Sequence, residues 1–173
     1  MPVRKLKAYL DEAQIKYLTI GHSSAYTSQE IASMAHVSGK EFAKTVMIKI
    51  DGELAMAVLP ASFYIDFDSI KKKFGTKNVT LATEAEFKDC FPDCEIGAMP
   101  PFGNLYGLPV YVADSLIEHK EIAFNAGTYS EIMRLNYADY RGLVKPLVFQ
   151  FSWSTESFPR DPMERWYDDY RGN

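Results

Sequence analysis

"KTVMIKIDGELAMAVLPA", residues 44–61, is where the fold of this chain becomes legible. Two apolar runs flank Asp51-Gly52, a dipeptide that accepts the positive φ angles of a type I′ turn, so the stretch reads as a β-hairpin. Before it, "VRKLKAYLDEAQI" sets Val3, Leu6, Leu10 and Ala13 at helical spacing with charges between them, and "YLTIG" reads as a short strand. In "AYTSQEIASMAHV", Thr27 and Glu30 form a capping box, with Tyr26 and Ile31 placed as a hydrophobic staple, which predicts a second helix. After the hairpin, Asp66 can cap a helix "FDSIKKKF" that stops at Gly75, "NVTLA" reads as a strand, and Thr83 with Glu86 forms another capping box before "EFKDCF". Strand "PVYVAD", a short helical or turn segment "SLIEH", strands "EIAFNAG" and "SEIMRLN" and helix "ADYRGLV" complete the order. Strands outnumber the needs of one hairpin, and the helices follow no βαβα rhythm. The class is therefore α+β, with a mixed, mainly antiparallel sheet and surrounding helices.

A chain of 173 residues with 47% hydrophobic and 24% charged residues can build one substantial core, which excludes disordered and fibrous classes. Its longest apolar run, "LAMAVLP" at 54–60, is far shorter than a membrane span, and the charged start "MPVRKLKAYLDEAQIKY" does not read as a signal peptide. A cytoplasmic location is expected, with no membrane partner. The two cysteines, Cys90 and Cys94, and the three histidines, His22, His36 and His119, do not supply a recognisable four-ligand zinc pattern. Reduced thiols and no metal are expected. A net charge of −4 argues against broad nucleic-acid binding but leaves room for local basic patches. Lys71, Lys72, Lys73 and Lys77 in "KKKFGTK" are such a patch, readable as a solvated helix face or as phosphate contacts.

No G-x-S-x-G, P-loop, H-E-x-x-H or dinucleotide motif is present. Other features carry what chemistry the sequence offers. In "AKTVMIKI" the period of two puts Lys44 with Val46, Ile48 and Ile50, while Lys49 falls with Thr45 and Met47. Lys44 is thus either a rim lysine that reaches water or a cation at the mouth of a pocket, suited to a phosphate or a developing oxyanion. "EIGAMPPFGNLYGLP" at 95–109, with Gly97, Pro100, Pro101 and Gly103, is either a connector or a shaped loop whose backbone approaches a ligand. "FNAGTYSE" at 124–131 offers Asn125 and exposed backbone at Gly127, or a simple turn. His22 in "IGHSSAYT" is either packed or part of the same cavity.

Lys44 opening its strand, the "EIGAMPPFG" loop and "FNAGTYSEIMRLNYADYRGLVKP" occur in an order that resembles the YbaK-like, prolyl-tRNA synthetase-associated domain family, over roughly residues 20–146. The resemblance implies a barrel-like α+β sheet and a freestanding editing hydrolase that removes wrongly attached amino acids from tRNA, with no metal or organic cofactor. It implies Lys44 as the critical side chain, with backbone near Gly97 orienting water. Thr45, Pro100, Pro101, Gly103, Asn125, Gly127 and His22 would bind substrate. Mischarged tRNA, and an aminoacyl-tRNA synthetase, would be the partners. Two departures stand out. Tyr129 occupies a position where relatives are expected to carry a histidine, and the aromatic segment after Pro146 lies outside the pattern. We accordingly expect an editing domain over 1–146 and, over 147–173, an extension packed on it or docking a partner. A noncatalytic module binding aminoacylated tRNA ends or a synthetase is the competing reading, and a hydrolase of some other ester is a third.

Overall fold

The computed structural model describes residues 3–21 and 40–154. Helix α1 (Arg4–Glu12) and strand β1 (Tyr17–Gly21) precede a central hairpin of β2 (Phe42–Ile50) and β3 (Glu53–Pro60). Next come β4 (Phe63–Ile65), α2 (Phe67–Phe74), β5 (Val79–Leu81) and α3 (Glu84–Phe87). After the long loop follow β6 (Val110–Ala113), β7 (Glu121–Asn125), β8 (Glu131–Asn136), α4 (Tyr137–Val144), β9 (Leu147–Phe149) and β10 (Ser152–Ser154). The Thr27–Glu30 capping box and its helix, His22, His36, and the aromatic segment from residue 155 onward lie outside the described residues.

Local chemistry accounts for the elements. Asp51 and Gly52 take φ of 51° and 83°, the two positive values a type I′ turn requires, and the hairpin pairs in register from Ala43↔Pro60 to Ile50↔Glu53. Asp66 caps α2 by accepting from the Asp68 and Ser69 amides at 3.1 and 3.3 Å. The Thr83–Glu86 capping box forms as well, with Glu86 Oε2 accepting from Thr83 N at 2.7 Å. The helix it opens is shorter than "EFKDCF" suggests: it ends at Phe87, and Lys88–Cys90 tightens into a 3₁₀ turn.

The strands form one large mixed sheet in the order β1-β8-β7-β2-β3-β6-β9, with β5 also on β2, and β10 pairs separately with β4. The β2–β7, β3–β6 and β6–β9 pairs are parallel and the others antiparallel. Strands β9 and β10 both fall after Pro146, the first beside β6 and the second beside β4.

Both faces of the hairpin are covered, which explains why β3 reads as a continuous apolar run rather than an alternating one. Met47, Met56 and Val58 face a core shared with Leu6 and Leu10 of α1, Tyr140 of α4, and Met99 and Phe102 of the long loop. Ile48, Ala57 and Leu59 face a second core closed by Phe67 and Ile70 of α2 with Ile65 and Phe151. Removing each such large apolar side chain from water contributes about 1.5–3 kcal/mol. Among the described residues no helix is long and apolar enough to cross a membrane.

Candidate active site

Lys44 sits near the start of β2, and strand alternation turns its side chain to the face covered by α2 and β4. Its ammonium lies 5.4 Å from the centre of the Tyr64 ring, within cation–π range. Burial alone pulls its pKa down from 10.5 to about 8. The half-buried cation is therefore solvated poorly and balanced by an aromatic face, a state in which it interacts strongly with an incoming anion. Lys49, on the opposite face, contrasts with it: its ammonium pairs with Glu86 at 2.7 Å. Lys49 and the Thr83 backbone amide hold the Glu86 carboxyl below its usual value. Lys49→Ala is expected to leave activity unchanged and to shift the unfolding midpoint little, because exposed ion pairs contribute little to stability; thermal unfolding and a deacylation assay check both.

The end of β7 brings Asn125 to the level of Lys44. The parallel register runs Phe42↔Ala123 and Ala43↔Phe124, so the next positions, Lys44 and Asn125, share a face. Asn125 Oδ1 is buried and has no hydrogen-bond partner among the described residues. A buried acceptor without a donor costs about 1–3 kcal/mol, a cost a substrate N–H or O–H would relieve.

Two residues beyond Asn125, Gly127 fastens the long loop to this end of the sheet. Its N–H donates to Ala98 O at 2.9 Å, and its carbonyl accepts from Glu95 N at 2.8 Å. Gly127 has a φ of +92°, and a Cβ there would run into Val3, so the docking geometry requires glycine. Within the loop, residues 98–103 are buried while Gly97 is exposed. Pro100, Pro101 and Gly103 thus lie behind the exposed backbone, as its support. Proline suits that place because it brings no amide hydrogen that would need a buried partner. The fully buried Tyr140 donates its hydroxyl to Pro101 O at 2.7 Å. Tyr140→Phe should lower stability by about 1–2 kcal/mol, since the carbonyl loses its buried donor; an unchanged unfolding midpoint would refute that role.

Tyr129, where a histidine was expected, closes over the loop. Its phenol donates to Ile96 O, and its backbone N–H donates to Glu95 Oε2 at 2.9 Å. Burial, with the Glu95 and Glu84 carboxylates, raises the phenol's pKa, so Tyr129 stays a neutral donor. It fixes the loop and supplies no imidazole chemistry.

Strand pairing puts the end of β7, with Asn125, beside the start of β2, which carries Lys44, and the Gly127 hydrogen bonds dock the Gly97 loop next to that end of β7. Thr45 is on the other strand face, beside Ala43 and Met47. Lys71, Lys72 and Lys73 line α2, on the Lys44 side of the sheet, and Lys77 follows in the turn before β5. Lys71 approaches Asp68 at 4.0 Å and Lys73 lies over the Phe149 ring, while Lys72 and Lys77 are exposed. A cavity of about 720 Å³ between α1, Asp89–Asp93 and Leu105–Gly107 takes in Cys90 and the end of the long loop but, among the described residues, none of the catalytic, substrate-binding or RNA-binding candidates. Tyr64 and Tyr140 are contributors that carry no signal in the sequence, whereas Tyr129 stands out there only as a departure from an expected histidine.

A half-buried cation, an unpartnered acceptor and a loop of presented backbone suit acyl transfer to water, in which position and electrostatics supply most of the rate. By class, such an arrangement on a mixed α+β sheet fits an acyl-ester hydrolase. The family model for the aminoacyl-tRNA editing domain matches residues 22–143, and the chain belongs to that family. It is an editing enzyme that deacylates mischarged tRNA. The multifunctional Ser/Thr-tRNA deacylase ProXp-y of Escherichia coli (strain K12) is 27% identical over 154 residues, 86% of this chain and 91% of that protein. Two solved structures share the fold with a TM-score of 0.76. The hypothetical protein APE2540 is 18% identical and overlaps 87% of this chain and 100% of its own. A candidate trans-editing enzyme for prolyl tRNA synthetase is 17% identical and overlaps 88% of this chain and 97% of its own. These findings bear out the resemblance carried by the three motifs.

Proposed function

We propose that this deacylase acts on tRNA carrying a small hydroxylated amino acid, serine or threonine. The observation that carries this choice is the buried Asn125 Oδ1, without a partner among the described residues and close to the start of β2 that carries Lys44, an acceptor suited to a substrate hydroxyl or ammonium. The relative named as a Ser/Thr-tRNA deacylase, similar along most of both chains, supports it. Lys44 anchors the terminal nucleotide or polarises the ester carbonyl, a carbonyl near Gly97 orients the water, and Thr45 and His22 complete the substrate contacts. The reaction uses no cofactor. Residues 147–173 form an extension to an editing domain of residues 1–146, and the pairing of β9 and β10 with β6 and β4 supports its packing on that domain.

The test is release of amino acid from a panel of tRNAs charged with serine, threonine, alanine, cysteine and proline. Serine and threonine should be removed fastest; preference for another amino acid overturns the choice of substrate. No turnover with any member leaves the noncatalytic binding reading in its place.

Lys72 and Lys77 are proposed contacts to the tRNA backbone. Reversing both charges should raise KM and flatten the dependence of log KM on log salt by roughly 0.7–0.9 for each phosphate the variant no longer neutralises. An unchanged salt slope would remove them from the interface.

A further inference from the structure

Among the described residues the sheet has a gap in its hydrogen bonding next to Lys44. One edge of β2 pairs with β3 from Ala43 to Ile50. The other edge is shared: β7 takes it only as far as Ala43↔Phe124, and β5 takes it only from Ile48↔Leu81 onward. Between these two partners lies the stretch 44–47.

Backbone groups alternate along a strand, so the groups facing this gap can be named. Glu41 O accepts from Ala123 N at 3.3 Å, Met47 O accepts from Ala82 N at 3.0 Å, and Asp51 N donates to Asn78 O at 2.9 Å. The odd-numbered residues of β2 therefore turn their N–H and C=O groups to this edge. Ala43 is in the β7 ladder and the Met47 carbonyl is taken. Thr45 remains: among the described residues no backbone group bonds its N–H or its C=O. Backbone donors at half-buried positions rarely go unpaired, and here the donor sits one residue from the cation and beside the end of β7 that carries Asn125.

We propose that the Thr45 N–H receives the ester carbonyl oxygen of the substrate and holds the oxyanion, an assignment that rests on the deacylase function. Water oxygen bonds to the carbonyl carbon as the carbonyl π pair moves onto oxygen, which accepts from Thr45 N–H. The oxyanion then collapses and the carbon–oxygen bond to the ribose breaks. The ribose oxygen leaves with its electron pair and takes the proton that the water gives up. The products are free amino acid and tRNA with its ribose hydroxyl restored. Lys44, whose side chain leaves the sheet plane toward Tyr64, is then the anchor of the terminal nucleotide.

The test replaces the residue 45 peptide bond by an ester through segment ligation, keeping the threonine side chain and removing only the N–H. The expected result is a fall in kcat of about 10²–10³-fold with KM nearly unchanged. An unchanged kcat in the ester-linked protein, beside an active unmodified chain, overturns the oxyanion assignment and leaves the deacylase function standing. An unmodified chain that turns over no charged tRNA overturns both. Should the ligated protein not fold, amide proton NMR of the unmodified chain with an amide-linked seryl-adenosine decides the matter. A downfield shift of the Thr45 amide supports the assignment; shifts at Lys44 and Asn125 without one at Thr45 overturn it.

Discussion

Replacing Lys44 with alanine should lower kcat/KM for deacylation by about 10²–10³-fold, the usual cost of removing one preorganised electrostatic group from an acyl-transfer site. The reason is the lysine's setting. Burial depresses its pKa to about 8, and its ammonium rests against the face of Tyr64 rather than against a carboxylate of the described residues. It is therefore a charge kept available for substrate. Since the ammonium is the working form, enzyme-dependent deacylation should decline as pH rises through about 8. Activity that rises across that range would mean the neutral amine acts as a base, and wild-type activity in Lys44→Ala would dismiss the residue altogether.

The same setting predicts a gain in stability. The folded group loses its proton near pH 8 and the unfolded one near 10.5, so between these values the unfolded chain holds more protons and stability rises with pH. Below about 8 both states are protonated and the whole penalty of burying the charge is present. Lys44→Met should remove a penalty on the order of 3 kcal/mol at neutral pH, at 1.36 kcal/mol per pKa unit, while abolishing activity. Its advantage in thermal unfolding should shrink toward pH 10.5; an advantage independent of pH would assign the gain to packing instead.

Gly97→Ala is the second substitution with a large expected effect. Gly97 has a φ of +86°, and a Cβ there would collide with the Tyr129 phenol that is bonded to Ile96 O. The loop or the tyrosine must move, and displacement of about 1 Å at such a site costs about 10²-fold in rate. The positive φ also strains any residue that carries a Cβ, so the unfolding midpoint should fall by the equivalent of about 1–3 kcal/mol. Tyr129→Ala makes room for the new methyl group, so the two changes together should cost less than the sum of their separate effects. Strict additivity would mean that the tyrosine and the glycine do not act as a unit.

Most of the secondary structure was legible because its signals are local. Asp51-Gly52, the Asp66 cap, the Thr83–Glu86 box and the period of two through Lys44 each rest on residues within a few positions of one another. The sequence order of Lys44, the glycine-proline loop and the "NAGT" motif also sufficed for the family. The loop was harder: Pro100, Pro101 and Gly103 are expected from the sequence to bind substrate beside Gly97, yet those three are buried and Gly97 alone of the four is presented.

What periodicity determined was the face of β2 on which Lys44 stands, because side-chain direction in a strand depends on position alone. What it could not determine was the company Lys44 keeps. Tyr64 follows it by twenty residues, Asn125 by eighty-one and Gly97 by fifty-three, and each arrives through strand pairing or loop docking. The gap at Thr45 is the sharpest case. It exists because β7 leaves β2 after Ala43 and β5 joins only at Ile48, and an amide without a partner among the described residues is defined by where two other strands stop, which no property of residue 45 encodes.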